Sequence, residues 1–382
     1  MKIAVDVRAL QGSVYGGVAE YIRNLLPAMF TEAPHHEFIL FTNSKSPQND
    51  LGGFLKYPNV QIKAFRHPNK FFTFSCRFFN LPKLDKKVGG ADVFFSPHIL
   101  PAPVSSACPK VTTFHDISFE YFINDFFDLR RRLWHKYISP KRQALSSDRI
   151  IAVSQYTKND LVESYSIQPD NVEVVYSGIN KKLLDNGSQN WVHIKNKYGI
   201  ADKYILSLST VEPRKNISCL LRAFGILNKN PDFKNLQLVI AGNYGWSYKK
   251  IIAEARAQSV NNSIVFTGPV AEYEKASLYS NALLFIYPSL YEGFGFPPLE
   301  AMYMGIPVIV SGVASLPEVV KDAGILVNPY NPHDIAGAIE EVLRDSRLRD
   351  VYSSKGIQRA REFSWRSSAK ETLKILEKCV VK

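Results

Sequence analysis

Short apolar, β-branched runs recur along this chain, each followed by turn residues and then by a stretch of helical period. That alternation belongs to parallel sheets covered by helices, so the chain reads as α/β. In the first half the pattern predicts strands at Ile3–Val7, Phe38–Phe41, Val60–Phe65, Val93–Phe95, Val111–Phe114, Ile150–Val153 and Val172–Val175. It then restarts, with strands predicted at Ile205–Leu208, Leu236–Ala241, Ile264–Phe266, Leu283–Tyr287, Val308–Val310 and Ile325–Val327, and helices near Ile217–Leu227, Tyr273–Ser280 and Pro332–Leu343. Between the halves, Asn180–Lys203 is polar, contains Asp-Asn-Gly-Ser-Gln-Asn and has a linker's composition. A length of 382 residues also exceeds one ordinary core. Two doubly wound, Rossmann-like domains are therefore expected, each binding ligands at the carboxyl ends of its strands where the sheet order reverses. If the two face each other, one cleft serves both.

Composition narrows the function. With 46% hydrophobic and 21% charged residues the chain is globular, which excludes disordered and collagen-like proteins. A net charge of +12 calls for an anionic partner: nucleic acid, nucleotide, phosphate or acidic membrane. Residues 1–190 hold 23 Lys/Arg against 17 Asp/Glu, and the remainder 24 against 18, so the excess is split evenly and forms no single patch. A basic nucleic-acid-binding protein is the alternative from another class, but no helix-turn-helix, RRM or zinc signature accompanies the charge. The four scattered cysteines read as reduced thiols of a cytoplasmic protein, and the charged N-terminus reads as a first strand and no signal peptide. No apolar run is long enough to span a membrane. The first turn, Gly12-Ser-Val-Tyr-Gly16-Gly17-Val, lacks the dinucleotide fingerprint, and no P-loop occurs, which removes nicotinamide dehydrogenases and P-loop NTPases.

The densest chemical signal is Tyr287-Pro-Ser-Leu-Tyr-Glu292-Gly-Phe-Gly295-Phe-Pro-Pro-Leu-Glu300-Ala-Met. A strand ends at Tyr287, a glycine-containing loop follows, and Pro297-Pro298 preset a first helical turn expected to hold Glu300. On the residues alone, Glu300 either complements the helix dipole or accepts both hydroxyls of a ribose, and Glu292 is either solvated or part of the site. Arg214 and Lys215, between a predicted strand and helix, are either a solvated helix start or the cations of a bound pyrophosphate. Positive charge at a helix N-terminus is unfavourable unless an anion comes between. His115 ends a strand and is either a core histidine or a cleft residue. Gly16 and Gly17 form either a plain tight turn or a close approach to donor phosphates. Lys63–Lys87 joins seven Lys/Arg to Phe71, Phe72, Phe74, Phe78 and Phe79, and Arg130–Arg142 carries no acid; such stretches are either solvated helix faces or contacts to an anionic membrane.

Glu292…Glu300 within Tyr-Glu-Gly-Phe-Gly-Phe-Pro-Pro-Leu-Glu-Ala-Met resembles the signature of retaining glycosyltransferases of family 4, which have the two-domain GT-B fold. Ser209-Thr-Val-Glu-Pro-Arg214-Lys215-Asn, Val153-Ser-Gln-Tyr-Thr, Phe114-His115-Asp116, Val174-Val-Tyr-Ser-Gly-Ile-Asn and Phe266-Thr-Gly268-Pro-Val270 agree in order and spacing, so the likeness covers nearly the whole chain. Glu-Pro-Arg-Lys-Asn, Gly242-Asn-Tyr-Gly-Trp246 and Ser96-Pro-His98 look most like bacterial O-antigen mannosyltransferases. The resemblance implies an acceptor-binding domain over 1–185, rejoined by a C-terminal helix at about 365–382, and a nucleotide-sugar domain over 200–364. It implies transfer of a hexose, mannose from GDP-mannose being favoured, to a saccharide acceptor that in this family is commonly lipid-linked. His115 and Glu292 would act on the transferred sugar. Gly16, Gly17, Arg214, Lys215, Gly268, Val270, Phe294, Gly295, Phe296, Leu299 and Glu300 would bind substrate. Many relatives place a further arginine where this chain has Ser209 or Thr210. No Asp-x-Asp occurs, so neither a metal nor another cofactor is expected. A cytoplasmic enzyme touching the inner membrane face follows; a GT-B epimerase or phosphorylase is the rival within enzymes.

Overall fold

The computed structural model describes residues 1–11, 16–44, 51–122, 129–185, 191–257 and 260–380. Residues 12–15 of the first turn and 186–190 of the polar linker lie outside them. Chain contacts divide the molecule into two units: residues 1–117, 129–178 and 364–382 form the first, and residues 118–128 and 179–363 the second. The helices that matter below are α1 (Gly17–Glu32), α2 (Asn69–Phe74), α3 (Leu129–Ile138), α4 (Ile217–Leu227), α5 (Glu272–Ser280), α6 (Phe296–Tyr303), α7 (Pro332–Arg344) and α8 (Trp365–Val380).

The first unit is a seven-stranded sheet of β1 (Lys2–Asp6), β2 (Glu37–Asn43), β3 (Val60–Phe65), β4 (Val93–Ser96), β5 (Lys110–Phe114), β6 (Arg149–Ala152) and β7 (Val172–Val174), in the order β3-β2-β1-β4-β5-β6-β7. Every pairing is parallel, with Ile3 opposite both Phe38 and Val93. Central strands of such a sheet are covered on both faces, which explains why β4 and β5 are buried throughout and read as unbroken runs instead of alternating ones. The C-terminal α8 lies along α1, where Arg366 Nε donates to Glu32 over 2.7 Å and the Ser368 hydroxyl donates to the Tyr176 carbonyl over 2.6 Å. Gly178 is what lets the chain enter beside α8: a Cβ there would stand 2.1 Å from the Trp365 nitrogen, so any larger residue would push the two segments apart.

The second unit repeats the design with β8 (Tyr204–Leu208), β9 (Gln237–Ala241), β10 (Ile264–Gly268), β11 (Phe285–Tyr287), β12 (Val308–Ser311) and β13 (Ile325–Val327), in the parallel order β10-β9-β8-β11-β12-β13. In α4, Ile217, Leu220, Leu221, Phe224 and Leu227 are all buried, a helical apolar stripe that meets Leu238, Ile240 and Ile286 of the sheet and Ile335 and Ile339 of α7. The two sheets reverse order between β1 and β4 and between β8 and β11. Loops leaving those strands therefore flank each crevice, which puts the segment after β8 beside the segment after β11.

Three features differ from the sequence expectation. The polar linker holds two helices, Lys181–Asp185 and Trp191–Tyr198, because Trp191 stacks on Tyr204 and Asp185 accepts from the Tyr303 hydroxyl over 2.8 Å; the first unit thus ends at Gly178, before the expected residue 185. Ser118–Phe122 groups with the second unit, where the rings of Tyr121 and Phe122 pack on Tyr291 at 6.4 and 5.8 Å. Finally, α6 starts at Phe296, so Glu300 is its fifth residue, past the first turn.

Candidate active site

At the reversal point of the second sheet, the segment after β8 folds as a single turn, Pro213–Lys215, and Asn216 closes it in the left-handed conformation with φ 56° before α4 begins. Asn216 fixes that turn to its neighbours by donating to the Pro288 and Pro329 carbonyls over 3.1 and 2.7 Å. Arg214 and Lys215 consequently stand beside the loop after β11. Lys215 is buried, and it points its ammonium at Glu292 Oε1 over 2.5 Å and at the Tyr287 hydroxyl over 2.8 Å. An ammonium has three donors, and the third finds no partner among the described residues. A solvated helix start is excluded.

Glu292 is buried as well. Its Oε1 also accepts from the Ser289 hydroxyl over 2.6 Å and the Tyr287 hydroxyl over 3.0 Å, while Oε2 takes Arg214 Nη1 at 3.2 Å. Burial alone would raise this carboxyl, but Lys215 and Arg214 outweigh it and bring the pKa down to about 2, so Glu292 is an anion at neutral pH. Burial and the neighbouring guanidinium lower the Lys215 pKa too, below its ordinary value. Arg214 is held by Glu212 Oε1 at 3.3 Å and by the Tyr291 carbonyl at 2.9 Å. Two cations thus meet two carboxylates, Glu292 and Glu212, so an anion arriving here would find both cations already held in place.

Glu300 lies on α6, beyond Gly295, whose φ of 110° only glycine adopts comfortably and whose missing Cβ would stand 2.7 Å from Leu316. Tyr279 of α5 donates to Glu300 Oε2 over 2.8 Å. Oε1 has no hydrogen-bond partner among the described residues. Burial raises the Glu300 pKa, against the pull of Lys275 and Tyr279. Gly268 ends β10 with φ 70° under the ring of Tyr244, and Val270 is half-buried just before α5. Leu299 is fully buried and Phe294 packs between Phe296 and Phe363 at 5.4 and 5.7 Å, so these side chains face the core and could offer a ligand only their backbone. Pro297 and Pro298 carry no N–H, so in the first turn of α6 only Phe296 and Leu299 can offer one to a ligand, together with the loop before it.

In the first unit, His115 follows β5. Its Nε2–H donates to the Pro97 carbonyl over 2.9 Å, which fixes the tautomer and leaves Nδ1 as an acceptor, and Tyr21 packs edge-on at 4.7 Å. Burial lowers its pKa to about 4, so the ring is neutral at pH 7. Gly16 caps α1 and Gly17 is its first residue; both are exposed. The same unit holds a cluster to which the sequence reading gave no role. Asp6 pairs with Arg8 at 2.6 Å and faces His98 Nε2 at 3.3 Å, joining the loops after β1 and β4 at that sheet's reversal point. Tyr287, Ser289, Glu212 and Tyr279 were missed in the same way, although the first two stand within five residues of Glu292 in sequence.

Comparison with known proteins gives a consistent likeness. Residues 15–183 match the family described as Glycosyltransferase Family 4, and residues 193–359 match Glycosyl transferases group 1. O-antigen chain mannosyltransferase B of Escherichia coli is 30% identical over 330 residues, covering 85% of this chain and 81% of that protein. Among solved structures, sucrose-phosphate synthase of Thermosynechococcus elongatus superposes with a TM-score of 0.75 at 19% identity, covering 99% of this chain and 98% of that one. Anabaena HepE, solved in complex with UDP and glucose, gives 0.73 at 17% identity, covering 99% and 100%.

Proposed function

This chain belongs to glycosyltransferase family 4, with the GT-B fold, and from that premise we propose that it moves mannose from GDP-mannose to a lipid-linked saccharide at the inner face of the membrane, with retention of configuration and without a metal. The observation that carries the donor reading is Lys215: a buried ammonium at the reversal point of the sheet, with two of its three N–H groups taken by Glu292 and Tyr287 and the third without a partner among the described residues. A diphosphate supplies the missing acceptor. Mannose is favoured by the 30% identity to a protein named for mannosyl transfer, and an O-antigen or similar polysaccharide by the same name.

In this reading Glu300 Oε1 accepts the ribose hydroxyls while Tyr279 holds Oε2, and the turn at Gly268 and Val270 contacts the base. Arg214 and Lys215 take the diphosphate. The bond from the anomeric carbon to phosphate breaks as the acceptor oxygen bonds to that carbon on the same face, and the acceptor proton passes to the departing phosphate oxygen. Glu292 stabilises the positive charge that grows on the sugar. His115, neutral and with Nδ1 as acceptor, takes a hydrogen bond from a sugar hydroxyl. Charge on the departing diphosphate is neutralised by Arg214 and Lys215, and the absence of any Asp-x-Asp after a strand is what favours a metal-free route.

Thermal denaturation in the presence of GDP-, UDP-, ADP- and TDP-sugars tests the donor assignment. GDP-mannose at about 100 times its Kd should stabilise by about 2.7 kcal/mol, with the others well below it. A larger shift with another nucleotide sugar would overturn the choice of base or sugar.

A further inference from the structure

The first unit presents a surface that its own core does not use. In α2 and the turn after it, Phe72 and Cys76 face inward with exposures of 3% and 4%. Phe71, Phe74, Phe78 and Phe79, where a water-facing helix would carry polar residues, are exposed by 42–68%. This segment is bolted to α3 and to the helix that follows it, Pro140–Leu145: Arg77 Nε donates to the Tyr137 carbonyl over 3.0 Å, Arg142 of the second helix donates back to the Arg77 carbonyl over 2.9 Å, and the rings of Phe78 and Tyr137 lie 6.0 Å apart. On α3, Leu133 and Trp134 continue the exposed apolar surface at 59% and 44%.

Cations frame it. Lys70, Arg130, Lys136, Lys141 and Arg142 are all exposed, and no Asp or Glu occurs at 51–84 or 129–147. A second copy of the chain is a poor occupant, because a self-complementary contact would bring these cations against one another. A purely apolar partner would leave them unmatched. Exposed aromatics ringed by cations suit an anionic headgroup layer, where the rings enter the interface and the charges meet phosphates.

We propose that the face made by residues 70–81 and α3 docks on an anionic lipid bilayer. The inference rests on the lipid-linked acceptor argued above and adds the surface that would bring the enzyme to it. The test is co-sedimentation of the full chain with vesicles of phosphatidylcholine alone and of phosphatidylcholine with phosphatidylglycerol. Binding should require phosphatidylglycerol and weaken as salt rises. Phe78→Ser with Phe79→Ser should abolish it, and Lys136→Glu with Lys141→Glu should weaken it by at least about 25-fold, at about fivefold per cation lost. Both double variants should keep wild-type turnover on a short soluble acceptor, which shows that they fold. Failure of the wild type to bind, or equal binding to both vesicles, overturns the proposal. So does a wild-type dimer, by light scattering, that the phenylalanine variant converts to monomer. Vesicle binding without sugar transfer would sink only the functional reading, and transfer without vesicle binding only the docking face.

Discussion

Glu292→Gln is expected to reduce kcat by about 10²–10³-fold, the scale of losing one preorganised electrostatic contact to the transition state. The substitution keeps the shape of the side chain and its place among Ser289 and Tyr287, and removes the charge to which Lys215 and Arg214 are drawn. Those cations would then face each other across a buried space. The fold should lose about 3 kcal/mol, as when one partner of a buried ion pair is deleted. The two effects separate by pH. A carboxyl lowered from 4.5 to about 2 contributes stability that is fully present above pH 4.5 and lost as pH falls toward 2. Urea denaturation should therefore show wild type and variant converging at the acid end while remaining apart at neutral pH. A variant as stable and as fast as wild type at pH 7 would remove Glu292 from the site.

Glu300→Ala is expected to act on binding instead, raising the Kd for the nucleotide sugar by about 10–100-fold, as befits the loss of charge-assisted hydrogen bonds to two hydroxyls. Turnover at saturating donor should change much less, since the ribose is remote from the anomeric carbon. Tyr279→Phe should give a smaller version of the same effect by freeing Oε2 to rotate. Burial raises the Glu300 pKa, and hydroxyls bind the ionised form, so wild-type donor affinity should begin to fall on the acid side at a higher pH than an ordinary carboxylate would give. Isothermal titration with GDP-mannose across pH measures both. A Kd unmoved by Glu300→Ala would place the ribose elsewhere.

The strands were legible because each is a short β-branched run with turn residues on either side. The observed Val60–Phe65 and Ile325–Val327 coincide with their expected bounds, as does the helix Ile217–Leu227. Motif position along the chain also carried the pairing of elements, since the order β10-β9-β8-β11-β12-β13 puts Arg214 and Glu292 on neighbouring loops. What could not be read was which side chains meet. Arg214 and Lys215 looked like open cations awaiting a phosphate, and they are engaged by a carboxylate 77 residues away from Lys215. Tyr279 reaches Glu300 across two different helices, a contact set by how α5 and α6 pack and not by any local spacing. The chain's passage at Ser118–Phe122 into the second unit likewise has no sequence marker, because aromatic residues there suit either core.

Proton NMR of the product formed from GDP-mannose and a saccharide acceptor, with released GDP measured in the same tube, tests the central claim most directly. An elongated saccharide whose new linkage keeps the donor's anomeric configuration, with one GDP per sugar transferred, is the predicted result. An inverted linkage would contradict the retaining route, and an isomerised nucleotide sugar with no elongated saccharide would contradict transfer itself.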